Sequence, residues 1–179
     1  MVQQTGNIIV DRSIGVVKLD VPTYEAIEHD PSATRQAAIV VGVVALAGAI
    51  GGLGDGFGGF IVGLIAAFVG WLVFSGLAYF VGTNLFGTPT TNTTFEAVLR
   101  TVGYAQVPGI VGVIGFIPFI GALAAFVGGI WAIVTAIIAI RQSLNITTGR
   151  AIITGIIAAI AAGIIMFIIA LIFDVSYVF

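Results

Sequence analysis

The stretch AIITGIIAAIAAGIIMFIIALIF, residues 151–173, holds no charged side chain. A helix needs about 20 apolar residues to cross a hydrocarbon core about 30 Å thick, and this run is long enough. Its apolar residues are continuous and do not alternate, which excludes a β-barrel strand. A helix is then the element that satisfies its own backbone inside lipid. The rest of the chain follows suit: 59% of residues are hydrophobic and 8% charged, against about 25% charged in soluble domains. Such a chain has too little polar surface to cover a water-soluble core. The expected fold class is all-α, a polytopic membrane protein.

Composition also removes functions. The chain has no cysteine, which excludes disulfides, thiolate metal sites and cysteine nucleophiles. The net charge is −2 and no basic block occurs, so nucleic acid is not an expected partner. The opening MVQQTGNIIVDRSIG lacks a basic segment followed by an apolar core and does not read as a signal peptide.

The polar residues concentrate at one end. Residues 1–35 carry Arg12, Lys18 and Arg35, three of the six basic residues. In HDPSATRQAA, Asp30 reads as an N-cap with Pro31 at the first helical position. The spacing predicts a cytoplasmic arm over 1–35 and five spans at about 36–53, 60–81, 95–117, 120–140 and 151–173, with a short tail at 174–179. GGLGDGFGG (51–59) reads as a tight turn and 82–94 as a polar loop. Thr93-Thr94-Phe95-Glu96 fits a capping box, and Thr148 reads as a further N-cap. Within the arm, Val10, Ile14, Val17 and Val21 fall on one helical stripe, an amphipathic helix lying in the membrane interface. The β-branched IIV and GVVKLDV leave a strand as the rival reading.

Five spans put Arg12, Lys18, Arg35, Arg100, Arg141 and Arg150 on one side. The positive-inside rule then places the N-terminus in the cytoplasm and the C-terminus outside a plasma (inner) membrane. Arg12, Lys18 and Arg35 read as interfacial anchors.

Chemistry-bearing residues are sparse. His29 is the single histidine, has no companion at metal-ligand spacing, and reads as a surface residue. No nucleophile, metal set or acid–base pair is apparent, so neither an enzyme nor a cofactor is expected. Small residues recur at helical spacing: Gly48 with Gly52, Gly59 with Gly63, and Gly155 with Ala159 and Gly163. These read as helix-packing positions.

RTVGYAQVP (100–108) sits at the mouth of the third span. Arg100 reads as a headgroup contact and Tyr104 as an interfacial aromatic. Pro108 cannot donate to the carbonyl of Tyr104 and predicts a kink, with FEAVLRTVGYA lying partly in the headgroup layer. Gln106 is placed to satisfy that carbonyl or to bond to a neighbouring helix. Together these residues read either as a structural corner or as a binding patch on the cytoplasmic face.

RTVGYAQVP, IPFIG and RQSLNITTGRA, preceded by DRSIGVVKLD and EAIEHDPSATRQA, resemble in order the bacterial members of the Yip1-domain family. The resemblance covers nearly the whole chain. It implies a cytoplasmic N-terminus and five spans. Eukaryotic relatives act in ER–Golgi vesicle traffic, bind prenylated Rab-type GTPases and influence membrane shape. The arm here is shorter than their cytoplasmic region, so GTPase binding is not carried over. By motif, Arg100, Gly103, Tyr104 and Pro108 are the positions to test, with Gln106 beside them. The expected function is a membrane-organising or scaffold protein whose partners are lipid, itself or other membrane subunits. The rival expectations are an accessory subunit of a larger membrane complex and a small-solute transporter or channel.

Overall fold

The computed structural model describes residues 6–51, 56–88 and 91–172. Seven α-helices occur among them: α1 (Ile8–Val17), α2 (Val21–His29), α3 (Ala33–Gly51), α4 (Gly56–Leu85), α5 (Phe95–Tyr104), α6 (Ile120–Leu144) and α7 (Thr148–Ile172). A 3-10 segment, Val107–Ile114, follows α5. No strand occurs among the described residues, so the arm is helical and the rival strand reading falls.

Local chemistry sets several of these boundaries. Asn7 accepts from the Ile9 N–H and starts α1. Leu19, at φ 60°, turns the chain after α1, with its N–H and that of Asp20 bonded back to Val16 and Gly15. Pro22 lies in the first turn of α2. Thr94 caps α5 by accepting from Ala97 at 3.2 Å, where the sequence places a helix start. Asp30 does not sit next to a helical Pro31. It ends α2, its Oδ1 accepts from the Ser32 N–H, and α3 begins at Ala33. In the last connection Thr147 accepts from the Arg150 and Ala151 N–H groups, and Thr148 is already helical.

Five helical segments are long and apolar enough to cross a membrane: Ala33–Gly51, Gly58–Leu85, Phe95–Ile114, Ile120–Leu144 and Thr148–Ile172. α4 runs to Leu85 and α6 to Leu144, past the hydropathy limits of 81 and 140, because helical hydrogen bonding continues after apolarity stops. The turn expected at 51–59 falls mostly on residues outside the described set, as does the tail at 174–179.

The third span occupies the centre. Over its most apolar 18 residues 56% are buried, against 11% in the second and fifth spans. Residues 97–105 are all buried. This corrects the expected headgroup placement of FEAVLRTVGYA: α5 is wrapped by protein, with α3, α4, α6 and the arm packed against it. Pro108 does not kink a continuous helix either. α5 stops at Tyr104 and the chain goes on as eight residues of 3-10 helix. At about 1.5 Å rise for ten residues and about 2.0 Å for eight, the pair spans about 31 Å, one hydrocarbon thickness.

A 3-10 run of that length is uncommon. Here it lies between α3 and α6 at backbone contact. A Cβ built on Gly51 would stand 2.0 Å from the Gly112 carbonyl oxygen, and one on Gly112 would stand 3.4 Å from the Gly48 Cα. The backbone of Gly48 thus touches Gly112, although a Cβ on Gly48 itself would meet no described atom within 4 Å; Gly52, expected beside it, lies outside the described residues. At Gly63 and Gly163 an added Cβ meets no atom within 4 Å, so these two face no close partner among the described residues. Gly59 is on the first turns of α4. The outer walls, α6 and α7 above all, present Phe126, Ile133, Ile160 and Phe167 outward, each more than half exposed.

Candidate functional site

Helix ends leave backbone carbonyls without partners, and close to lipid water does not supply them. Three short helices meet this by borrowing a donor from another element. Arg100 of α5 is buried, at 8% exposure, and its Nε donates at 2.7 Å to the carbonyl of Glu28, in the last turn of α2; its Nη2 donates to the same oxygen. A cation at a helix C-terminus also meets the negative end of the helix dipole. Trp131 of α6 donates Nε1 at 2.9 Å to the carbonyl of Val17, the last residue of α1. Thr135 of α6 donates at 2.7 Å to the carbonyl of Ala105, which ends α5. Arg100 is thus a cap, and the headgroup role read for it in the sequence is corrected.

Gln36, in the first turns of α3, gathers a second set of bonds. Its Oε1 accepts from Tyr104 Oη at 2.8 Å and from Arg12 Nη1 at 2.7 Å. Arg12 Nη2 pairs with Asp30 Oδ2 at 2.7 Å. Tyr104 is fully buried. The expected interfacial tyrosine and the expected anchor Arg12 both turn inward, because a partner with matched geometry competes better than lipid for each of them. Lys18 and Arg35 are exposed, as an anchor requires.

Arg12 and Arg100 are each followed by glycine three residues on, one helical turn away on the same face. A Cβ on Gly15 would stand 2.3 Å from Thr23 Oγ1, and one on Gly103 would stand 2.8 Å from the Ala37 Cβ and 3.0 Å from Trp71. In both motifs the arginine bonds to one neighbouring segment, while the glycine lets another side chain pack close: Thr23 at Gly15, Ala37 and Trp71 at Gly103.

The result is an arm, α1 and α2, bound to the membrane domain. Burial pushes the Glu28 carboxyl above its ordinary range, against the pull of His29 and Arg100. Hydrogen bonds from Ser32 and Arg12 hold Asp30 below its own. Tyr24 is fully buried, its hydroxyl donates to the Val16 carbonyl at 3.1 Å, and burial raises its pKa. His29 is exposed, and its Nδ1 lies 2.8 Å from the Glu25 carbonyl of its own helix. Among the described residues no group of three metal-ligating side chains occurs.

Along α1, Val10, Ile14 and Val17 line a 430 Å³ groove together with Ile39, Val43 and Ile110. Three of the four stripe positions read in the sequence therefore share a face; Val21 belongs to α2.

A second cavity, of 640 Å³, lies within the span region between α4, α5, α6 and α7. Apart from Gln106 and the indole of Trp71, its lining carries no polar side chain. Trp71 spends its N–H on the Leu99 carbonyl at 2.9 Å. The Gln106 amide has no hydrogen-bond partner among the described residues, so neither bond expected of it forms. Gly155 and Ala159, read as packing positions, line this space. Sequence reasoning missed both Gln36 and the cavity. The only trace of Gln36 was an amide one residue after Arg35, at the start of an apolar run.

The family model described as Yip1 domain matches residues 19–170. The chain belongs to this family. No curated protein and no solved structure matches it. The matched region includes Glu28, Gln36, Arg100 and Tyr104, whereas α1 with Arg12 lies before it.

Proposed function

We propose that this Yip1-domain protein is a non-enzymatic organiser of the plasma (inner) membrane, with its arm on the cytoplasmic face and its C-terminus outside. One observation carries the reading. Arg12, Asp30, Gln36, Arg100 and Tyr104 direct their hydrogen bonds at one another and at helix ends, not at an open space where a substrate would react. What the spans expose outward is mostly apolar. Docking sets α1 so that Val10 joins Ile39 and Val43 as exposed residues along one flank of α3. With the N-terminus cytoplasmic, the arm acts as a wedge in the inner leaflet, widening the protein on one side. An asymmetric cross-section of this kind biases local curvature and selects neighbours by packing. The six basic residues on the arm's side support this orientation.

The test is extraction of the tagged protein in mild detergent, with quantitative mass spectrometry of what accompanies it. The protein alone, or as an oligomer of itself, is the expected result. A stoichiometric set of other membrane subunits would replace this reading with an accessory-subunit role.

A further inference from the structure

We infer that the cavity between α4, α5, α6 and α7 is a binding site for a neutral lipid whose uncharged head offers a carbonyl or hydroxyl oxygen to Gln106 and whose body is hydrocarbon. The inference does not depend on the membrane-organising role. The cavity's 640 Å³ falls within the range of about 300–1,000 Å³ usual for small-molecule sites. Such sites are mostly apolar with a few polar groups that fix orientation. Trp71 and Phe74 offer aromatic faces here, and Gln106 alone offers a free hydrogen-bonding group. An amide both donates and accepts, so it serves a carbonyl or a hydroxyl equally.

One further observation narrows the ligand class. No charged residue lines the cavity, so an anionic head finds no counter-ion there. A neutral head needs none, and Gln106 gives it the bond that hydrocarbon cannot. Ile133 and Ile156, both more than half exposed, stand at the rim, so entry is from the lipid side. The α4 and α7 walls also carry Ser75 and Thr154, whose hydroxyls are buried without a hydrogen-bond partner.

The cavity contains its own reporter. Trp71 lines it and Trp131 does not. In the Trp131→Phe protein, held in phosphatidylcholine nanodiscs, decylubiquinone is titrated and Trp71 fluorescence read; this quinone is neutral, carries carbonyls and quenches indole on contact. The expected result is a saturable component above the linear quenching due to partitioning. In that background Gln106→Leu weakens the saturable component roughly tenfold, as loss of a hydrogen bond in a dry site does. Gly70→Leu abolishes it, because a side chain there enters open space with no atom within 4 Å of its Cβ. Circular dichroism and gel filtration establish that both variants are folded. Linear quenching alike in all three proteins overturns the site. Saturable quenching that Gln106→Leu leaves unchanged assigns the cavity to hydrocarbon tails and overturns the neutral head.

Discussion

Arg100 is one of six basic residues, and its charge matters less than its reach. It caps α2 from 72 residues away. Arg100→Ala leaves the Glu28 carbonyl half-buried without its donor, so the arm should lose about 1.5–3 kcal/mol of docking stability, the range for a hydrogen bond to a charged group. Proteolysis of the arm in detergent would register this, with Arg100→Lys intermediate because an ammonium lacks the planar fork. Gly103→Ala should cost about 1–3 kcal/mol by overpacking against Ala37 and Trp71, read as a lower midpoint in thermal unfolding. The pH dependence has two opposed parts. Asp30 is lowered, so its contribution is present above its ordinary 3.8 and lost as pH falls below that. Glu28 is raised, so the docked state binds its proton more tightly and loses stability as pH rises above 4.5. Arm protection should therefore be greatest between these values. Glu28→Gln should remove the decline toward neutral pH, and Asp30→Asn should remove the decline toward acid; amide exchange in α2 across that range measures both.

At the scale of elements, the third span shows what a sequence can and cannot carry. Its existence, its start at Thr94 and its break near Pro108 are local chemistry, and all are legible. Its burial is not, because that depends on α3, α4, α6 and the arm closing around it. The same limit applies to the arm. The periodicity of Val10, Ile14 and Val17 gives a helix, but the acceptors that hold it, the carbonyls of Val17 and Glu28, are backbone atoms with no signature of their own. The small residues mislead in a different way. Gly155 and Ala159 have the spacing of a close seam; Gly155 does face Ile140, with 3.4 Å from an added Cβ to Cδ1, yet both residues also leave the open space of the cavity beside them. Because α5 already ends at Tyr104, Pro108→Ala should cost under about 1 kcal/mol, the stiffness lost from the unfolded chain, whereas a kink proline in a working hinge would change activity or shape far more. Thermal unfolding of that variant decides between the two. Leu19→Gly should stabilise the turn between α1 and α2 by up to about 1 kcal/mol, since a left-handed residue with a Cβ is strained.

For the whole molecule, hydropathy alone gives five spans and the family resemblance agrees with it, but neither says whether the arm is a tether or a part. The bonds of Arg12, Arg100 and Trp131 make it a part, and the wedge proposed above needs it to be one. Hydrogen exchange of the whole protein in nanodiscs, with and without Arg100→Ala, tests this most directly. The account predicts that amides of α1 and α2 are protected well beyond what isolated helices of about ten residues sustain. It further predicts that Arg100→Ala releases both helices while α6 and α7 keep their protection. Arm amides that exchange freely in the unaltered protein, or that ignore the substitution, would contradict it.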